Sequence, residues 1–69
     1  RAALSGALNR FLAGLSDEKR AVFLRRYWYL VPVREIAEQC GMSESKVKSM
    51  LARTRAELRR TLEKEDIEI

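Results

Sequence analysis

Histidine is absent from this chain, cysteine and proline each occur once, and there are only three glycines, one tryptophan, two tyrosines and two phenylalanines. Without histidine there is no base for a Ser-His-Asp or Cys-His nucleophile. A single cysteine makes neither an internal disulfide nor a Cys/His zinc cluster. With no constellation of acid, base or metal ligands left, the chain reads as non-enzymatic and as needing no cofactor. No apolar run approaches the roughly 20 residues of a membrane span. The opening stretch RAALSGALNRFL is interrupted at Asn9–Arg10 and carries no cleavage-type pattern, which argues against a signal peptide. A cytoplasmic location is expected, and Arg1 in place of methionine suggests a piece of a longer protein.

What is present is a small, charged, apolar-rich chain. Sixty-nine residues make one domain near the lower size at which a core is self-sufficient, and 46% hydrophobic content is ample for it despite 35% charged residues. The net charge is +4 and the isoelectric point near 9.7, a balance that favours a polyanionic partner. The charge is uneven. Residues 1–43 hold seven Lys/Arg against four Asp/Glu, residues 44–60 hold six against two, and residues 61–69 hold one against four. The densest positive stretch is therefore 44–60, and an acidic tail (63–69) follows the domain proper (1–62).

The periodicity is helical almost throughout. Leu4, Leu8, Phe11, Leu12 and Leu15 recur at three- and four-residue steps and predict a first helix ending near Ala13–Gly14. Ser16 then has the chemistry of an N-cap, with Asp17 and Glu18 placed against the positive helix end. A second helix is expected from Asp17 to Tyr27 or Trp28, with Val22, Phe23 and Tyr27 facing inward and Trp28–Tyr29 edging a hydrophobic groove. Pro32 suits a helix start rather than its middle. It opens a third helix from about Val33 to Gln39 or Cys40, and a fourth runs from about Glu44 to Leu62. The predicted class is all-α: four helices in a compact domain with a C-terminal helix-turn-helix and no wing.

Residues 33–52, VREIAEQCGMSESKVKSMLA, carry the helix-turn-helix spacing. Ala37 must be small if one helix crosses close over the next. Gly41 supplies the left-handed backbone that ends the third helix, and Ser43 can cap the fourth. Ile36, Cys40, Met42, Val47 and Met50 join the two helices, with Cys40 a small buried thiol rather than a reactive one. Such a pair presents its second helix to a DNA major groove. At about 100° per residue, Val47, Leu51, Thr54, Leu58 and Leu62 share the inner face of the fourth helix, with Met50 on its flank. The outer strip is Ser45, Ser49, Ala52 and Ala56. Lys46, Arg53 and Arg60 border it on one side, and Lys48, Arg55 and Arg59 on the other. Small residues let a backbone approach a groove floor while flanking cations reach phosphates on either rim. A merely solvated helix has no reason for that arrangement.

The run RYWYLVPVREIAEQCGMSESKVKSMLARTRAELRRTL, with LNRFLAGLSDEKRAVFLRRY before it, resembles region 4 of the sigma-70 family, in particular the extracytoplasmic-function type of bacterial sigma factor. Two positions depart from the family's habit: Lys46 stands where threonine is common and Met50 where arginine is common. The resemblance implies a domain that recognises the promoter minus-35 element and docks on the flap of the RNA polymerase β subunit. Its partners would be double-stranded promoter DNA, the polymerase core and an anti-sigma factor, with no membrane, as a monomer within the holoenzyme. Carried over by position, Ser45, Lys48 and Ser49 would reach base edges. Lys46, Arg53 and Arg55 would hold phosphates, Arg34 would do so from the third helix, and Ser43 at the turn completes the DNA-binding set. Two alternatives stand beside this one: the output domain of a LuxR-type response regulator, and a helical adaptor that binds only protein.

Overall fold

Four helices follow one another in the computed structural model, which describes the backbone of residues 2–65 and the side chains of residues 4–65. They are α1 (Ala2–Ala13), α2 (Asp17–Tyr27), α3 (Val33–Cys40) and α4 (Glu44–Lys64). Their starts are chemically marked. The Ser16 hydroxyl accepts the Lys19 amide at 3.2 Å, and Asp17 and Glu18 lie in the positive first turn of α2. Pro32 precedes α3 with φ −61° and ψ 147°, and its carbonyl accepts the Ile36 amide. α4 outruns its expected end at Leu62 by two residues, so the first residues of the acidic stretch belong to the helix. Glu65, just beyond, pairs with Arg10 of α1. The remainder of that tail lies outside the described residues.

α4 is the spine: it packs against each of the other three helices, and α2 also packs on α3. Val22, Ile36, Ala37, Val47 and Leu51 form the buried cluster between α2, α3 and α4, with Cys40, Met42 and Met50 partly buried against it. That is the apolar set expected of the turn. Farther along α4, Thr54 and Leu62 are buried too, together with Ala7, Leu15 and Phe23. The Thr54 hydroxyl donates to the Met50 carbonyl at 2.8 Å, so its burial leaves no polar atom unpaired. Phe11 meets Phe23 edge-on, with ring centroids 6.3 Å apart.

Several expectations about the core need correction. Tyr27 is 40% exposed rather than inward. Its ring lies on Phe23 at 4.9 Å, but its position at the end of α2 leaves the hydroxyl at the surface, where it accepts a hydrogen bond from Arg55. Leu58 is only half-buried because it lines an open apolar groove with Leu8, Leu12, Phe23, Leu24 and Trp28. Cys40, expected as a buried thiol, is only half-buried, and in α1 the leucines are half-buried beside a fully enclosed Ala7.

Candidate nucleic-acid interface

The interface begins at the turn between α3 and α4. Gly41 has φ 65° and ψ 38°, and both its amide and that of Met42 donate to the Ala37 carbonyl. This left-handed closure satisfies a helix-end carbonyl that would otherwise be unpaired. Ser43, extended at φ −75° and ψ 157°, accepts the Lys46 amide on its hydroxyl oxygen at 3.1 Å and starts α4. Its hydroxyl hydrogen is left to donate elsewhere. Since Ala37, Ile36, Val47 and Leu51 are all buried here, α3 holds α4 at a fixed angle with the opposite side of α4 facing outward.

That outward side carries the expected pattern. Ser45, Ser49, Ala52 and Ala56 are all exposed, and so are Lys46, Lys48, Arg53, Arg55, Arg59 and Arg60. No ion pair among the described residues engages any of these six cations. Toward the start of α4 the two borders make separate hollows, whereas farther along Arg60 shares one with Arg55 and Arg59 across Ala52 and Ala56. On one side Ser45, Lys46, Ser49 and Arg53 share a shallow depression of about 280 Å³ with Lys19 of α2. On the other, Lys48 and Arg55 share one with Arg26, at the end of α2. Arg34 is exposed in the first turn of α3 and lines neither hollow. Arg55 reaches farther than its helical position alone suggests: it donates to Tyr27 and also borders the apolar groove.

The helical wheel of α4 could not identify Lys19 and Arg26, because both come from another helix. The signal for Arg26 was its place in the Arg25–Arg26 pair at the end of α2, where basic residues also suit the negative helix end. Trp28 edges the apolar groove as expected. Tyr29 instead lines a different hollow, with Arg25, Val31 and Gln39.

Residues 5–58 match the family model described as Sigma-70, region 4. The chain belongs to that family. Region 4 is a DNA-binding, helix-turn-helix part of transcription sigma factors. The assignment takes the place of the response-regulator alternative. None of the curated proteins and none of the solved structures compared matches the chain. No helix among the described residues is long and apolar enough to cross a membrane.

Proposed function

We propose that this region 4 domain recognises the minus-35 element of a promoter by seating α4 in the major groove, while the apolar groove between α1, α2 and α4 receives the flap of the RNA polymerase β subunit. The observation that carries the DNA half is the outer strip of α4, small along its centre and bordered on both sides by cations that have no carboxylate partner among the described residues. In this reading Ser45, Lys48 and Ser49 face base edges, with Ser43 beside them at the turn. Lys46, Arg53, Arg55 and Arg34 hold phosphates and set the register. The subclass we favour is the extracytoplasmic-function type, on the strength of the aromatic RYWY run and the VKSxLxRTR string. Within the holoenzyme the domain acts as a monomer in the cytoplasm, and an anti-sigma factor is its natural competitor for the same surfaces.

Salt dependence of binding to a promoter duplex tests the reading. Four to six phosphate contacts correspond to a slope of log affinity on log salt of about −4 to −5. Lys46→Ala and Arg53→Ala should each reduce its magnitude by roughly one and weaken all sequences alike. Lys48→Ala or Ser49→Ala should shift preference between promoter variants by about 1–3 kcal/mol at one base pair. A salt-independent association, or one indifferent to all four substitutions, would instead favour an adaptor that binds only protein.

A further inference from the structure

Among the described residues, Lys19 is the only one outside α4 that lines the hollow holding Ser45, Lys46, Ser49 and Arg53. It sits in the first turn of α2, held there by the Ser16 cap, which accepts its backbone amide. Its ammonium lies 3.7 Å from the Glu57 carboxylate, and both side chains are substantially exposed. An ion pair this long and this open contributes little to stability. Glu57 is nevertheless badly placed for a DNA-binding helix. It is one of two carboxylates in residues 44–60 and lies one turn beyond Arg53 on the same side of α4, where it would repel the phosphates that Arg53 holds.

Building on the groove reading above, we infer that Lys19 is a further contact to the DNA backbone, parked on Glu57 in the free protein and transferred to a phosphate when α4 enters the groove. A lysine suits this exchange: it is a compact point charge on a flexible four-carbon stem, with donors that reorient freely. A phosphate arriving at the Lys46–Arg53 border brings a full negative charge into the hollow, and Glu57 competes with it from a single weak pair. Such a contact strengthens binding to every sequence and reads none, because phosphates carry no base identity.

The test is an anisotropy titration of a short mixed-sequence DNA duplex between 50 and 200 mM salt. It uses the parent protein, Lys19→Ala, Glu57→Gln, the double variant and, as controls, Lys46→Ala and Arg53→Ala. Lys19→Ala should weaken binding and reduce the salt slope by about 0.9, so that its deficit against the parent narrows roughly threefold across that salt range. Glu57→Gln should bind more tightly than the parent, and Lys19→Ala should have its full effect in the Glu57→Gln background. An unchanged slope for Lys19→Ala beside a reduced slope for Lys46→Ala overturns the inference and leaves the groove reading intact. A Lys19→Ala effect that vanishes in the Glu57→Gln background also overturns it, since Lys19 would then only neutralise Glu57. Slopes unmoved by Lys46→Ala and Arg53→Ala remove the groove reading, and this contact with it.

Discussion

Among the described residues two have left-handed backbone, and they use it in opposite circumstances. Gly41, at φ 65°, has nothing within 4 Å of where a Cβ would stand, so its requirement for glycine is conformational and not a matter of space. Leu30, at φ 57°, pays the steric penalty of a side chain in that region while leaving 73% of itself exposed. A leucine held there costs about 1–2 kcal/mol relative to an unstrained position, and little burial offsets it. Gly41→Ala should therefore destabilise the fold by about 1–2 kcal/mol. Leu30→Gly should be neutral to stabilising by up to about 1 kcal/mol, the relief of strain exceeding glycine's extra unfolded-state freedom. Melting temperatures separate the two, since about 1 kcal/mol moves a domain of this size by roughly 4–8 °C. A Leu30→Gly protein that melts well below the parent would mean that the exposed leucine makes a stabilising contact that its burial does not reveal.

At the scale of elements, the join between α1 and α2 depends on one side chain. The Arg20 guanidinium donates to the carbonyls of Leu12 and Leu15, each at 2.9 Å, and to that of Ala13 at 3.4 Å, while Asp17 pairs with it from the side. It thus adds donors to carbonyls at the end of α1, where the Leu12 carbonyl also accepts the Leu15 amide at 3.2 Å, and places a positive charge at the negative helix end. Arg20→Ala should destabilise the domain by about 1–3 kcal/mol. Arg20→Lys should restore only part of that, because an ammonium cannot span three carbonyls as the planar fork does; full recovery by lysine would show that charge alone matters. Arg20 also marks where sequence reading stops. The Ser16 and Ser43 caps, the Gly41 turn and both borders of α4 were legible because each depends on neighbours within a few positions or on the 3.6-residue period. The partners of Arg20 are carbonyls across a loop, and no residue type announces them. Tyr27 was misplaced for a related reason: its aromatic bulk argues for burial, whereas its location at the end of α2 decides for the surface. Leu30 left no signal, since leucine is not a residue that turn chemistry suggests for a left-handed position.

Across the whole molecule, the basic surface and the apolar groove lie on different sides of α4 and meet at Arg55. The apolar groove of about 400 Å³ is lined by Leu8, Leu12, Phe23, Leu24, Trp28 and Leu58, and Arg55 is among the residues at its border. The same side chain shares one cationic hollow with Lys48 and another with Arg59 and Arg60. Trp28 is 72% exposed, so removing its indole forfeits little packing within the domain, although a bound partner would bury it. If the groove seats the β flap while α4 seats DNA, three substitutions should separate cleanly. Trp28→Ala should weaken association with the isolated flap at least tenfold, the loss typical of an aromatic anchor worth more than about 1.4 kcal/mol, with DNA affinity and melting temperature unchanged. Lys46→Ala should do the reverse. Arg55→Ala should lower both, since it gives up a phosphate contact and the hydrogen bond that steadies Tyr27 beside Phe23 at the groove wall. Surface plasmon resonance against immobilised flap, paired with DNA titrations of the same three proteins, reads all of these effects. Equal flap affinity for Trp28→Ala and the parent would take the groove away from the flap, leaving α4 as the domain's only docking surface with an assigned partner.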